Sequence, residues 1–141
     1  MTDPTEVLYA PEPLLTVAEF AGVLSESGLG ATRPLGDPER LGRMLSSAGL
    51  IMTARLAKPS GTLVGVARCI TDFSWCCYLS ELAVSKTVQG LGVGTGLLDA
   101  VRKELGPQVS VILASVPESV GFYERIGMTR LPDAFWYRRE R

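Results

Sequence analysis

The sequence predicts an α/β domain built on an antiparallel meander, with helices before and after it in the chain. Three observations predict it. Two N-capped amphipathic stretches come first, and three strand-like runs joined by short loops follow. A strand, a glycine-rich turn and a helix then succeed one another. At 141 residues the chain has the length of one domain, which we take to span residues 1–141. A domain of this size buries roughly 68% of its unfolded surface in one core.

The first helix is "LTVAEFAGVLSESG", N-capped at Thr16, with Glu19 completing a capping box and Phe20, Val23 and Leu24 on one face. Gly28 and Gly30 end it. The second is "GDPERLGRMLSSAG", with Asp37 as cap, Pro38 at the first helical position and Leu41, Met44 and Leu45 as its apolar stripe. "LIMTARL" and "TLVGVARCI" are strands joined by "AKPSG", whose Pro59 and Gly61 suit a hairpin. After "TDFSW" a third strand, "CCYLSELAV", runs into the glycine turn. Helix three extends from about Gly94 to Leu105 and stops at Gly106-Pro107. "VSVILAS" is a buried strand, "PESVGFYERIG" a short helix, and "MTRLPDAFWYRRER" closes as a hairpin or final strand. The order is α, α, three strands, α, β, α, β.

Composition narrows the chemistry. Hydrophobic residues make up 46% and charged residues 21%, and a net charge of −1 gives no general attraction to nucleic acid or anionic membrane. The N-terminal stretch has no signal-peptide pattern, and no apolar run approaches the ~20 residues of a membrane span, so a cytoplasmic location is expected. Cys69, Cys76 and Cys77 lack metal or disulfide spacing, which predicts reduced thiols used in packing. The chain contains no histidine and no asparagine. That removes histidine-based nucleophilic catalysis and His-ligated zinc, and no metal is expected. The first 32 residues carry five acidic residues and no Lys or Arg, the pattern of a solvated acidic face.

Chemistry concentrates in "ELAVSKTVQGLGVGTGLL", Glu81 to Leu98, where Gly90, Gly92, Gly94 and Gly96 separate a strand from a helix. Such a turn gathers unpaired N–H groups at the positive end of a helix dipole and suits an anion. A Walker A loop needs Lys-Ser/Thr after its last glycine, and Thr95 and Leu97 stand there instead. A dinucleotide fingerprint needs a third glycine where Thr95 or Leu97 falls. The alternative without a ligand is a tight turn with close helix-sheet packing.

The spacing Gln89-Gly90-Leu91-Gly92-Val93-Gly94 after "LAV", followed by "GFYERIGM", resembles the GCN5-related N-acetyltransferase (GNAT) family. The resemblance covers most of the chain, from the two early helices onward. It implies a mixed, mostly antiparallel central sheet flanked by helices, the acyl-CoA N-acyltransferase fold. It also implies acetyl-CoA as co-substrate, with the diphosphate held by the amides of Gln89, Gly90, Leu91, Gly92, Val93, Gly94 and Thr95. The pantetheine arm would run along Leu82, Ala83 and Val84, where the family's strand bulges and splays from the next. Tyr123 resembles the family tyrosine beside the coenzyme sulfur, a general acid, and Glu81 the acidic group facing the acceptor amine, a general base.

Each residue has a plainer alternative: Tyr123 as a half-buried core residue, Glu81 as an exposed strand residue or an ion-pair partner. Tyr78 and Asp72 are reserve bases, and the Leu82 N–H is the expected donor to the thioester oxygen. The family often has an asparagine where this chain reads "ASVPES", so Ser115 or Ser119 would replace it. "DAFWYRRER" either walls an apolar acceptor site or forms a last strand with a basic tail. Its "FWY" resembles small bacterial and plastid members that acetylate arylalkylamines or protein lysines. The expected partners are acetyl-CoA and a primary amine, with a homodimer favoured by edge strands and terminal aromatics. Rival readings are a CoA-binding regulatory module without turnover and a pure interaction domain.

Overall fold

The structure, a computed structural model, describes residues 6–58 and 61–140; Asp3 and Pro59 lie outside the described residues. Five strands form one sheet in chain order among them. They are β1 (Val7–Pro11), β2 (Leu50–Leu56), β3 (Leu63–Thr71), β4 (Cys76–Val84) and β5 (Ser110–Ile112). β1 to β4 are antiparallel neighbours, and β5 pairs with β4 in parallel. Among the described residues four α-helices accompany them: α1 (Val17–Ser27), α2 (Pro38–Ser46), α3 (Val93–Leu105) and α4 (Val120–Arg125). A parallel neighbour requires a crossover, and α3 supplies it.

Alternation along the strands divides the core into two layers. Met52, Ala54, Ala67 and Cys69 pack with Leu97, Leu98, Val101 and Leu105 of α3. Ile51, Val66 and Ala83 pack with Phe20, Val23 and Leu24 of α1 and with Leu41 and Leu45 of α2. Each Leu, Ile, Val, Phe or Met among them contributes roughly 1.5–3 kcal/mol when fully buried, so the sheet is held from both faces.

The helix boundaries follow their caps. Thr16 Oγ1 accepts from the Glu19 N–H at 3.1 Å, and Asp37 Oδ1 accepts from the Arg40 N–H at 3.1 Å. The capping box at α1 closes mainly on one side, because the Glu19 carboxylate turns to Arg55 at 2.8 Å. Gly28 and Gly106 end α1 and α3 as their positions in the sequence suggest. Cys77 belongs to the α3-side core, whereas Cys76 is exposed.

Three elements depart from expectation. The strand read as buried in "VSVILAS" is only Ser110–Ile112, an edge strand with Ser110 and Ile112 exposed. β1 was not anticipated: "VLYAP" pairs residue by residue with Met52–Leu56 and adds an edge strand to the meander. The final strand expected in "MTRLPDAFWYRRER" does not form, since residues 128–140 join no strand or helix. Phe135, Trp136 and Tyr137 are all largely exposed. High strand propensity supplies no structure without a strand to pair with.

Candidate active site

The site begins with one extra residue in β4. Along β3 and β4, Arg68 pairs with Glu81 but Cys69 pairs with Leu79, so Ser80 is a β-bulge. A one-residue insertion exchanges the faces of everything beyond it. Before the bulge, Cys77 and Leu79 face α3. After it, Leu82 and Val84 take that side, while Ala83 joins the core under α1 and α2. β5 accompanies β4 only through the pairs Cys76 to Tyr78 with Ser110 to Ile112. From Leu79 onward the two strands part, and a cleft of about 760 Å³ opens where they do.

The four glycines divide into two pairs with different reasons. Gly90 and Gly92 hold positive φ, 88° and 77°, and a Cβ at either would point into open space. They shape the loop. Gly94 and Gly96 make room for close packing: a Cβ at Gly94 would stand 3.1 Å from the Phe122 ring, and one at Gly96 only 2.1 Å from Tyr9 Oη. Gly92 caps α3 without any side-chain hydrogen bond, and the first amide to close the helical ladder is Gly96 N–H to the Gly92 carbonyl at 2.9 Å. The preceding amides of α3 have no helical partner, and those of Val93 and Gly94 belong to residues that line the cleft, at the positive end of a 13-residue helix.

Most of the expected residues line this cleft. Leu82, Val84, Gln89, Gly90, Gly92, Val93, Gly94, Ser119 and Tyr123 do. Ala83, Leu91 and Thr95 do not: Ala83 faces the opposite side of the sheet, and Leu91 projects outward. Ser115 is also absent from the lining, its hydroxyl donating to the Val116 carbonyl at 2.7 Å, so of the two serines Ser119 alone borders the cleft. The Gln89 amide donates to the Val84 carbonyl at 3.4 Å, folding the loop back on the strand. Residues 133–137 form no part of the lining.

The opposite wall was not foreseen. Gly28, Leu29, Ala31 and Thr32, from the end of α1 and the turn after it, face β4 across the cleft. Lys86 and Arg125 stand at its rim, and neither has an ion-pair partner among the described residues. Lys86 was legible as the one cation of "SKTVQGLG"; the α1 wall had no local signal.

Tyr123 reaches the cleft from α4, its ring edge-on to Phe122 at 5.1 Å. Burial raises its phenol above the ordinary tyrosine value, so the group stays protonated well past neutral pH. Glu81 has a setting different from the one expected of a base. It is 2% exposed, and its carboxylate accepts from Arg33 Nε at 2.8 Å, from Arg68 Nε, and from the Ser80 hydroxyl at 2.8 Å. Burial pushes its pKa up, but Arg68 and then Arg33 and Ser80 outweigh this and hold it below the usual carboxylate range. It is a held counter-ion, because the bulge turned it away from the α3 face of Cys77 and Leu79, which Leu82 and Val84 take up after it. Asp72 is likewise engaged, accepting from the N–H groups of Ser74, Trp75 and Cys76.

A family model described as an acetyltransferase (GNAT) domain matches residues 36–135. The chain belongs to the GNAT acetyltransferase family. Its relatives include the chloroplastic serotonin N-acetyltransferase 2 of rice (Oryza sativa subsp. japonica), 31% identical over 116 residues, covering 80% of this chain and 58% of that protein. The chain spans about three fifths of the length of the curated relatives it matches. Among solved GNAT-fold structures, a candidate acetyltransferase from Deinococcus radiodurans superposes with a TM-score of 0.74 at 26% identity, over 99% of this chain and 92% of that one. An aminoglycoside N-acetyltransferase in complex with CoA shares the fold at a TM-score of 0.72 and 13% identity, over 99% of each chain. The GNAT domain is thus an acyltransferase fold. No described helix is long and apolar enough to cross a membrane.

Proposed function

We propose that this GNAT domain transfers the acetyl group of acetyl-CoA to a primary amine by direct attack. One observation carries the reading: the cleft opened by the splay of β4 from β5 is lined both by the start of α3 and by the half-buried phenol of Tyr123. Coenzyme A fits that layout. Its diphosphate would meet the Gly90–Gly94 loop and the start of α3, with Lys86 and Arg125 as the nearby cations. The pantetheine arm would lie along Leu82 and Val84, whose outer edge has no strand partner, as an added strand would.

Bound there, acetyl-CoA supplies an activated acyl group, and the protein's share of the chemistry is small. As the amine nitrogen bonds to the thioester carbon and the C–S bond breaks, Tyr123 gives its phenolic proton to sulfur. The Leu82 N–H stabilises the oxygen while it carries charge. Nitrogen loses its surplus proton to water at the open mouth, and water restores the phenol. The name of the rice relative makes an arylalkylamine the first acceptor to test.

The test joins an amine panel with free-thiol detection to calorimetry with acetyl-CoA. Tyr123→Phe should lower kcat by about 10²-fold or more. Acetyl-CoA affinity should change by less than about threefold, under 1 kcal/mol. Unchanged turnover in that variant at every pH removes Tyr123 from the reaction. Binding without turnover on any amine, peptide or protein would leave a CoA-binding module instead.

A further inference from the structure

We propose that Arg33, Glu81 and Arg68 form a positioning clamp for acetyl transfer, fixing the Ser80 bulge and thereby the aim of the Leu82 N–H and the width of the cleft. The inference rests on the acetyltransferase reading above.

A bulge leaves its residue off the ladder, and here the carbonyl and the hydroxyl of Ser80 are both caught. Arg33 Nη2 donates to the Ser80 carbonyl at 2.8 Å, and Arg68 Nη2 donates to the Ser80 hydroxyl at 3.0 Å. That hydroxyl donates onward to Glu81 Oε2 at 2.8 Å, and Glu81 binds both guanidinium groups. Arg68 Nη1 also donates to the Met44 carbonyl in α2 at 3.1 Å. Arg33 Nη1 is spent on the Thr32 hydroxyl at 2.9 Å, at the end of the segment that forms the far wall of the cleft. One cluster therefore ties together that wall, α2, β3 and the bulge, two residues before Leu82.

Burial shows what kind of device this is. The side chains of Glu81 and Arg68 are 1% and 8% exposed. A buried ion pair is weak evidence for stability, since apolar residues of the same volume often serve as well or better. What the cluster adds is direction. Guanidinium forks fix planar geometry, and a carboxylate held on both oxygens cannot rotate. Transfer depends on such placement, because an error of about 1 Å at a reacting group costs on the order of 10²-fold.

The experiment uses Arg33→Lys, which keeps the charge at the more exposed corner but replaces the planar fork spanning Glu81 and the Ser80 carbonyl with a single ammonium, alongside Glu81→Gln. Amide hydrogen exchange over residues 79–84 is measured with and without CoA, and kcat is followed against pH. Arg33→Lys should speed exchange in that segment and lower kcat by about 10²-fold. The pH profile should keep its shape, and CoA affinity should stay within about threefold. Exchange at 79–84 equal to wild type overturns the clamp, whatever the activity. Loss of the acidic limb of the profile in Glu81→Gln, with normal exchange, overturns it too and makes Glu81 the base. A wild type that binds CoA but never turns over defeats the acetyltransferase reading separately, while the exchange data still decide whether the bulge is held.

Discussion

Two ion networks in this molecule are near mirror images in charge. In one, Arg55 sits between two carboxylates, meeting Glu12 at 2.7 Å and Glu19 at 2.8 Å. In the other, Glu81 sits between two arginines. The first joins β2 to the segment before α1 and to the first turn of α1, and stays partly solvated, with the Glu19 side chain 40% exposed. The second is shut inside the fold beside the cleft. The same pairing chemistry thus does two jobs: solvated, it trims the stability of a surface; buried, it specifies one backbone arrangement.

The sharpest way to break the comparison is to delete the central residue of each network. Glu81→Ala leaves two guanidinium groups facing each other with Arg68 buried, and should destabilise the fold by about 3–5 kcal/mol in chemical denaturation. Arg55→Ala leaves carboxylates that water reaches, and should cost only about 1–2 kcal/mol. Equal losses would mean that burial does not separate the two.

Acid comes next. Glu12, through its bonds to Arg55, and Glu81 both have folded-state pKa values below the ordinary carboxylate value. The unfolded chain therefore binds protons more readily, and the stabilisation is complete above the unfolded value of about 4.3. It fades as pH falls through the lower folded values. Thermal melts from neutral pH downward should show this loss, and Glu81→Gln should show a shallower one. A variant as acid-sensitive as wild type would contradict the assignment.

The smallest effect is salt. Raising ionic strength tenfold from about 0.05 M shortens the screening length to well under 10 Å. The coupling of Arg55 with Glu19, about 0.2–1 kcal/mol in a double-mutant cycle, should shrink. That of Arg33 with Glu81 should hold.

What could be read from the chain beforehand had local causes. Thr16 and Asp37 announce their helices because a cap acts within three residues, and the glycine spacing marks the loop because φ is a local property. β1 escaped because five residues ending in proline say little until β2 is beside them. "FWY" misled for the opposite reason, having propensity without a partner. Glu81 shows the limit most clearly. Its residue type was plain, but its face depended on one extra residue at position 80, and a bulge is decided by neighbouring strands.

The contact of Gly94 with Phe122 reaches further than packing. Gly94 belongs to the first turn of α3, where the phosphate end of a cofactor would sit, and Phe122 precedes Tyr123 on the six-residue α4. Phenol and loop are thereby gauged against each other by a single absent methyl group. A side chain at position 94 would press back the Phe122 ring, against which the Tyr123 ring stands edge-on, by a few tenths of an ångström. On the proposed reading the cleft is a fixed calliper, one jaw where the diphosphate would lie and the other where the sulfur would, with its opening set where two helices touch.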